Sequence, residues 1–245
     1  MSELPILGVL LGNSAGVGPE LVAKLAVSNY YADYCRPVII GDLRMFEHGL
    51  KVVGGDVPHY VISDLSECDW ERGYPVLDLK DQDPEQVVYG EANAYCGASD
   101  LLQLDTAIEL CKAGKIEGFV FGPFHKGAMK MAGLHDESEH TYLAHAFNLT
   151  TPFCEVNMMD DLMTVRTTSH IPISDVSANI TEENLREAIE LGEITGESFG
   201  HKPRIAVAAL NPHCGEFGLC GREEVDVIKP TIEKVVKETG WNVSG

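Results

Sequence analysis

Short apolar runs rich in β-branched residues alternate along the chain with longer stretches whose apolar positions recur at helical spacing, the pattern of an α/β fold on a largely parallel sheet. Leu4 to Leu11 predicts the first strand. A glycine loop follows, Gly12-Asn13-Ser14-Ala15-Gly16-Val17-Gly18, and Pro19 then stands where a first helical residue would be, ahead of Glu20 to Leu25. Pro37 to Ile40 predicts a second strand, and Val57 to Pro84 reads as short strands and surface loops. Leu101, Leu102, Leu104, Ala107, Ile108 and Cys111 share one face of a helix that ends at Lys112 to Lys115, and a buried strand is expected from Ile116 to Phe121. Further strands are expected at Phe153 to Met158, Met163 to Thr167 and Arg204 to Leu210. One helix starts near Glu182 with Thr181 as its cap, another spans Glu223 to Glu238, and Trp241 to Gly245 falls where a next strand should begin.

A chain of 245 residues with 44% hydrophobic content can bury one large core or two modest lobes. Its 18 Lys and Arg against 38 Asp and Glu give a formal charge of −20, which repels a phosphate backbone and excludes nucleic acid as an expected partner. An anionic substrate then needs cations or a metal concentrated locally. No basic segment precedes the short apolar run at the amino terminus, so neither a leader nor a membrane span is expected, and the protein reads as cytoplasmic. Seven scattered cysteines without a Cys-x-x-Cys pair read as reduced structural thiols.

The glycine loop is not a dinucleotide fingerprint, because no glycine stands three residues after Gly18, and it contains no Gly-Lys-Ser/Thr. A phosphate-binding loop and a tight strand-to-helix turn both remain open. More specific are the polar segments that close predicted strands or helices: Gly122-Pro123-Phe124-His125-Lys126-Gly127, Glu139-His140-Thr141, Thr167-Thr168-Ser169-His170 and Asn211-Pro212-His213. In parallel α/β proteins the carboxyl ends of strands gather at one rim. His170 and His213 each follow a predicted strand, and two imidazoles would supply two of the three or four ligands of a catalytic divalent ion. From position alone each also fits a hydrogen-bonded structural histidine. Lys126 is a candidate proton donor or carboxylate anchor, or an ordinary solvated lysine.

Taken together, Gly12 to Glu20, His125-Lys126-Gly127, His140-Thr141, Thr167 to Pro172 and Leu210 to Gly215 resemble, in order, the signature segments of the 4-hydroxythreonine-4-phosphate dehydrogenase family. The resemblance runs over essentially the whole chain. It implies a two-lobed fold like that of isocitrate and isopropylmalate dehydrogenases, with lobes near 1–120 and 121–245, and a homodimer with its site at the lobe cleft and subunit interface. It makes His170 and His213 ligands of a divalent metal (Zn, Mg or Co), puts His140 and Thr141 on the substrate, and implies NAD- or NADP-dependent oxidation and decarboxylation of 4-phosphohydroxy-L-threonine on the route to pyridoxal phosphate. Lys126 is the expected catalytic lysine.

Two departures stand out. Asn13-Ser14 replaces an acidic residue and proline usual in the family, and Asp136-Glu137-Ser138-Glu139 puts three carboxylates before the His-Thr pair. The family's third metal histidine, in a His-Asp-Gln-Gly stretch, belongs to a carboxyl-terminal segment absent from this sequence, so a truncated chain with little or no activity is expected. Alternatives are oxidation of threonate or erythronate 4-phosphate or of a dihydrodiol within the same family, an inactive subunit that only dimerises, and a phosphate acyltransferase, which would not need His170 and His213 as ligands.

Overall fold

In the computed structural model, which describes residues 4–136 and 139–245, the first apolar run becomes β1 (Ile6–Leu10), followed by α1 (Gly18–Val27), β2 (Arg36–Gly41), α2 (Leu43–Val53), β3 (His59–Ile62), β4 (Tyr74–Asp78), α3 (Ala94–Lys112) and β5 (Gly118–Phe121). The strands form one sheet in the order β3-β4-β2-β1-β5, with every pairing parallel. Side chains alternate across it. Val9, Leu11, Ile39 and Val76 pack with Val22, Ala23 and Phe46 of α1 and α2, while Leu10, Val38 and Ile40 pack with Leu104, Ala107 and Ile108 of α3. Both faces are covered, which is why these strands read as continuous apolar runs.

Two expectations change here. The run Ile116 to Phe121 does form a strand, but its second half is exposed, Val120 at 48% and Phe121 at 44%, because β5 is an edge of the sheet among the described residues. The helix expected around Leu101 begins earlier, at Ala94, where the Asn93 side chain caps it by accepting from Cys96 N at 2.9 Å. Its added turns bury Ser99 and Asp100, and Gln103 is buried within the expected part, while Leu102 faces outward.

The chain divides into two compact units, Met1–Phe147 and Asn148–Gly245. The division falls after Phe147 rather than at residue 120, because α4 (Lys126–Met131) and α5 (Glu139–Ala146) pack with the first unit: Ala128 and Met129 are fully buried, and Tyr142 and Leu143 lie against the cluster under α3.

In the second unit β6 (Asn157–Met159) and β7 (Leu162–Thr164) form an antiparallel hairpin, shorter than the two strands expected there. Two residues, Asp160-Asp161, turn it, with Asp160 at φ +51°. After α6 (Val176–Asn179) comes α7 (Glu182–Ser198), and then β8 (Ile205–Ala206), two residues where a longer strand was expected. The expected helix from Glu223 opens as a wide π turn, Glu224–Ile228, before α8 (Lys229–Thr239), with Pro230, which has no N–H to donate, in its first turn. β9 (Val243–Ser244) pairs parallel with β8, as the ending of the sequence suggests. Leu185 and Ile189 of α7 meet Ile232 and Val235 of α8 in a small core. Thr181 caps α7 as expected, its Oγ1 accepting from Asn184 N at 3.2 Å. Thr181→Ala is expected to cost this unit about 1 kcal/mol, read as a lowered urea midpoint at unchanged slope.

Candidate active site

β1 leads through α1 to β2 on one side, and the chain later returns through α3 to β5 on the other, so strand order reverses at β1. The loops after β1 and β5 therefore flank the switch point, where ligands of open α/β sheets bind. They are in close contact. A Cβ on Gly12 would stand 2.4 Å from Gly122 O, and one on Gly122 would stand 2.9 Å from Gly18 Cα, so glycine is required where the two loops and the start of α1 meet.

The amides of the first loop are turned inward. Gly12 N donates to Gln103 Oε1 at 3.0 Å, and the Gln103 amide returns a bond to Gly12 O at 3.2 Å. Asn13 N donates to Pro123 O at 3.0 Å, Ala15 N to Asn13 Oδ1 at 3.1 Å and Gly16 N to Asn13 O at 3.1 Å. Those bonds brace the loop from within as a tight strand-to-helix turn.

Beneath it lies a buried polar layer. Ser14 Oγ donates to Gln82 Oε1 at 2.6 Å, and Gln82 N to Asp42 Oδ2 at 2.9 Å. Asp100, fully buried on α3, accepts at Oδ2 from Asn13 Nδ2 at 2.7 Å and from His125 N at 3.2 Å, while its Oδ1 has no partner. Burial pushes its carboxyl up to about 7; the bonds from Asn13 and His125 oppose the rise, and the charges of Asp81 and Glu139 add to it. Asp81 is raised too, by burial first, with the Ser99 side chain opposing the rise.

Lys126 heads α4 and is exposed at this rim. His125 caps the same helix, its Nδ1 accepting from Ala128 N at 3.1 Å, which puts the proton of the neutral ring on Nε2. His140 and Thr141 are half-buried in the first turn of α5, directly after Glu139, whose charge reaches Asp100. The first unit thus brings the glycine loop, Lys126 and the start of the His-Thr helix to one end of the sheet. Glu137 and Ser138 of the acidic stretch lie outside the described residues.

In the second unit His170 and His213 are both exposed; His213 lies beyond β8 of the two-stranded parallel pair, in the short helical segment Pro212–Gly218, whereas His170 does not follow a parallel strand. His170 comes after the antiparallel hairpin, since the strand expected through Thr167 stops at Thr164. Both histidines have left-handed backbones, φ +56° and +55°, and His213 begins a left-handed run through Phe217 in which only Gly215 is free of steric cost. Such strain concentrates at functional sites. Glu223 ties the two segments together. It accepts from the Ser177 hydroxyl, downstream of His170, and from Asn211 Nδ2 at 2.7 Å, two residues before His213. These bonds, Ser177 first, hold its carboxyl well below the usual range. Asn211 N also donates to Glu224 Oε1 at 2.6 Å. Among the described residues no three His, Cys, Asp or Glu side chains gather as a metal site.

Asp100, Gln103 and Glu223 were not among the residues singled out from sequence. For the first two a signal existed, because residues 96, 97, 100, 103, 104 and 107 form one helical stripe in which polar side chains interrupt apolar ones. Glu223 carried none.

A family model described as "Pyridoxal phosphate biosynthetic protein PdxA" matches residues 33–245. A putative 4-hydroxythreonine-4-phosphate dehydrogenase 2 of Pseudomonas aeruginosa is 35% identical over 99% of this chain and 72% of that protein. A putative D-threonate 4-phosphate dehydrogenase of Oceanobacillus iheyensis is 34% identical over 100% of this chain and 74% of its own length. Among solved structures, a 4-hydroxythreonine-4-phosphate dehydrogenase from Burkholderia phymatum superposes with a TM-score of 0.83 at 33% identity, and one from Klebsiella pneumoniae with 0.85 at 25%; each match covers 100% of this chain and 74% of the other.

Proposed function

This chain belongs to the pyridoxal phosphate biosynthetic protein PdxA family and is a dehydrogenase of phosphorylated hydroxy acids, and we propose that it oxidises and decarboxylates 4-phosphohydroxy-L-threonine as a cytoplasmic homodimer. The observation that supports this most is the meeting, at one end of the first unit's sheet, of the glycine loop, Lys126 and the start of α5 with His140 and Thr141. In this reading His140 and Thr141 bind the substrate from the first turn of α5. Lys126 holds the carboxylate, or returns a proton to the carbon that loses carbon dioxide. His170 and His213 would hold a divalent ion (Zn, Mg or Co). Both are exposed imidazoles on left-handed backbone, a donor type such an ion accepts, and they would supply two of the three or four ligands it needs. When bound, NAD (or NADP) would accept the hydride from the carbinol carbon and a divalent ion would polarise that carbon's hydroxyl oxygen.

D-threonate 4-phosphate is the second reading, since relatives of nearly equal identity carry that name. The two substrates differ at C2, an ammonium against a hydroxyl. Glu139, directly before His140, offers a carboxylate suited to the ammonium, which favours the amino acid. The acyltransferase alternative falls with the family match.

Formation of reduced nicotinamide should be followed with both substrates in the full-length protein. The expected result is a kcat/KM at least about tenfold higher for 4-phosphohydroxy-L-threonine, about 1.4 kcal/mol of discrimination. His170→Ala and His213→Ala should each lower zinc affinity and kcat/KM by roughly 100-fold while far-ultraviolet circular dichroism stays unchanged. Full metal binding in both variants would remove the metal assignment, and a preference for D-threonate 4-phosphate would exchange the two substrate readings.

A further inference from the structure

The polar layer under the switch point contains a group that the proposed chemistry does not use. Asp100 sits on α3, fully buried, and one of its oxygens binds two different loops: Asn13 Nδ2 of the β1–α1 loop at 2.7 Å and the His125 amide of the β5–α4 turn at 3.2 Å. The loops also meet directly, through Asn13 N and Pro123 O at 3.0 Å. A buried carboxylate is a costly way to close a turn that Gln103 already braces with a neutral amide. Its other oxygen gains nothing, since Oδ1 is unpartnered. Charge at this point therefore needs a reason beyond packing, and the next residue after His125 is Lys126.

We propose that Asp100 is a positioning residue, whose ionised carboxylate clasps the His125 amide and the Asn13 side chain and so fixes Lys126 at the rim of the first unit. The inference rests on the proposed role of Lys126. The ionised form accepts both bonds at full strength. Protonation removes the charge assistance from both, and the acidic hydrogen then occupies Oδ1, where no acceptor waits. The groups facing Asp100 are Asp81, Glu139 and, on the turn itself, His125. The two acids add to the rise that burial causes, so Asp100 takes up its proton and the clasp loosens as pH falls through about 7.

The test uses the full-length protein in four forms: wild type, Asp100→Asn, Asn13→Asp with Asp100→Asn, and Lys126→Ala. Amide resonances are followed by nitrogen-15 NMR from pH 5.5 to 8.5, alongside kcat/KM. In the wild type the His125 amide and Asn13 side-chain amide should shift together with a midpoint near 7, and kcat/KM should fall on the acid side of it. Asp100→Asn, which keeps the shape, should lose that step and lower kcat/KM at pH 8.5 by about tenfold to hundredfold, the scale of a small misplacement of a reacting group. The double variant, with amide and carboxylate exchanged across the same contact, should recover kcat/KM to within about threefold of wild type, which a site needing only neutral packing would not require. If Lys126→Ala leaves kcat/KM unchanged while the His125 amide still responds to Asp100→Asn, the assignment of Lys126 falls and the clasp stands. An unaltered His125 amide and pH profile in Asp100→Asn, or a double variant no better than the single, overturns the proposal. Should Asp100→Asn fail to fold, the pH step at the wild-type His125 amide decides the matter alone.

Discussion

Gly97→Ala is expected to unfold or severely destabilise the first unit, by about 3 kcal/mol or more, the upper end of what overpacking costs. A Cβ at this position would lie 2.0 Å from Ala128 O, 2.2 Å from Ala128 C and 2.7 Å from Met129 N. All three are backbone atoms of α4, so no side chain can rotate away, and relief requires separating α3 from α4. That separation would expose Met129 and disturb the His125 cap, whose bond runs to Ala128 itself. Intrinsic propensity points the other way. Alanine inside a helix is favoured over glycine by about 1 kcal/mol, so a loss would show that helix contact dominates. Gly54→Ala is the control, since Gly54 ends α2 at φ +67° and a Cβ there would meet nothing within 4 Å. Only the left-handed backbone opposes it, and a cost of about 1 kcal/mol is expected. Urea denaturation of the two variants gives the comparison, and a Gly97→Ala loss no larger than that of Gly54→Ala would defeat the packing account.

How much of this was legible in the sequence depended on how regular each part is. In the first unit, Leu4 to Leu11 and Pro37 to Ile40 located β1 and β2 within about two residues, because strands covered on both faces appear as unbroken apolar runs. The same rule misjudged β5. Val120 and Phe121 are as apolar as any interior strand, and sequence does not show that a strand is an edge. In the second unit the strands are two or three residues long, too short for a period to register, so the hairpin at Asp160-Asp161 was read as two longer strands. The site divides in the same way. Lys126, His140, Thr141, His170 and His213 were visible as motif members, whereas the left-handed backbone at both metal-candidate histidines is a tertiary outcome that no local pattern announces. Asp100 was hidden because helix α3 was read from its apolar positions alone, beginning at Leu101, one residue after it.

Asp100→Asn is expected to make the folded protein more stable at alkaline pH even as it lowers catalytic efficiency. Unfolded, this carboxyl titrates near 3.8; folded, burial holds it near 7. A raised folded pKa means that the native state binds the proton more tightly, so the stabilisation is full below the unfolded value and is lost as pH rises through the folded one. Between pH 5 and pH 8.5 the wild type should therefore lose about 2 to 3 kcal/mol through this group, at about 1.4 kcal/mol for each pH unit up to 7. Asp81 has the same sign, while Asp42, Glu223 and Asp226, whose folded values are lowered, have the opposite one. Asp42, Glu223 and Asp226 are common to both proteins and cancel in the difference between the two stability curves, which then reports Asp100 together with its coupling to Asp81. Urea unfolding at the two pH values should show Asp100→Asn gaining on the wild type by that amount as pH rises. Stability gained where kcat/KM is lost would mark Asp100 as a charge retained for positioning rather than for folding. A difference that stays flat between pH 5 and pH 8.5 would mean that the buried carboxyl does not titrate in that window, and the acid-side fall in kcat/KM would then need another source.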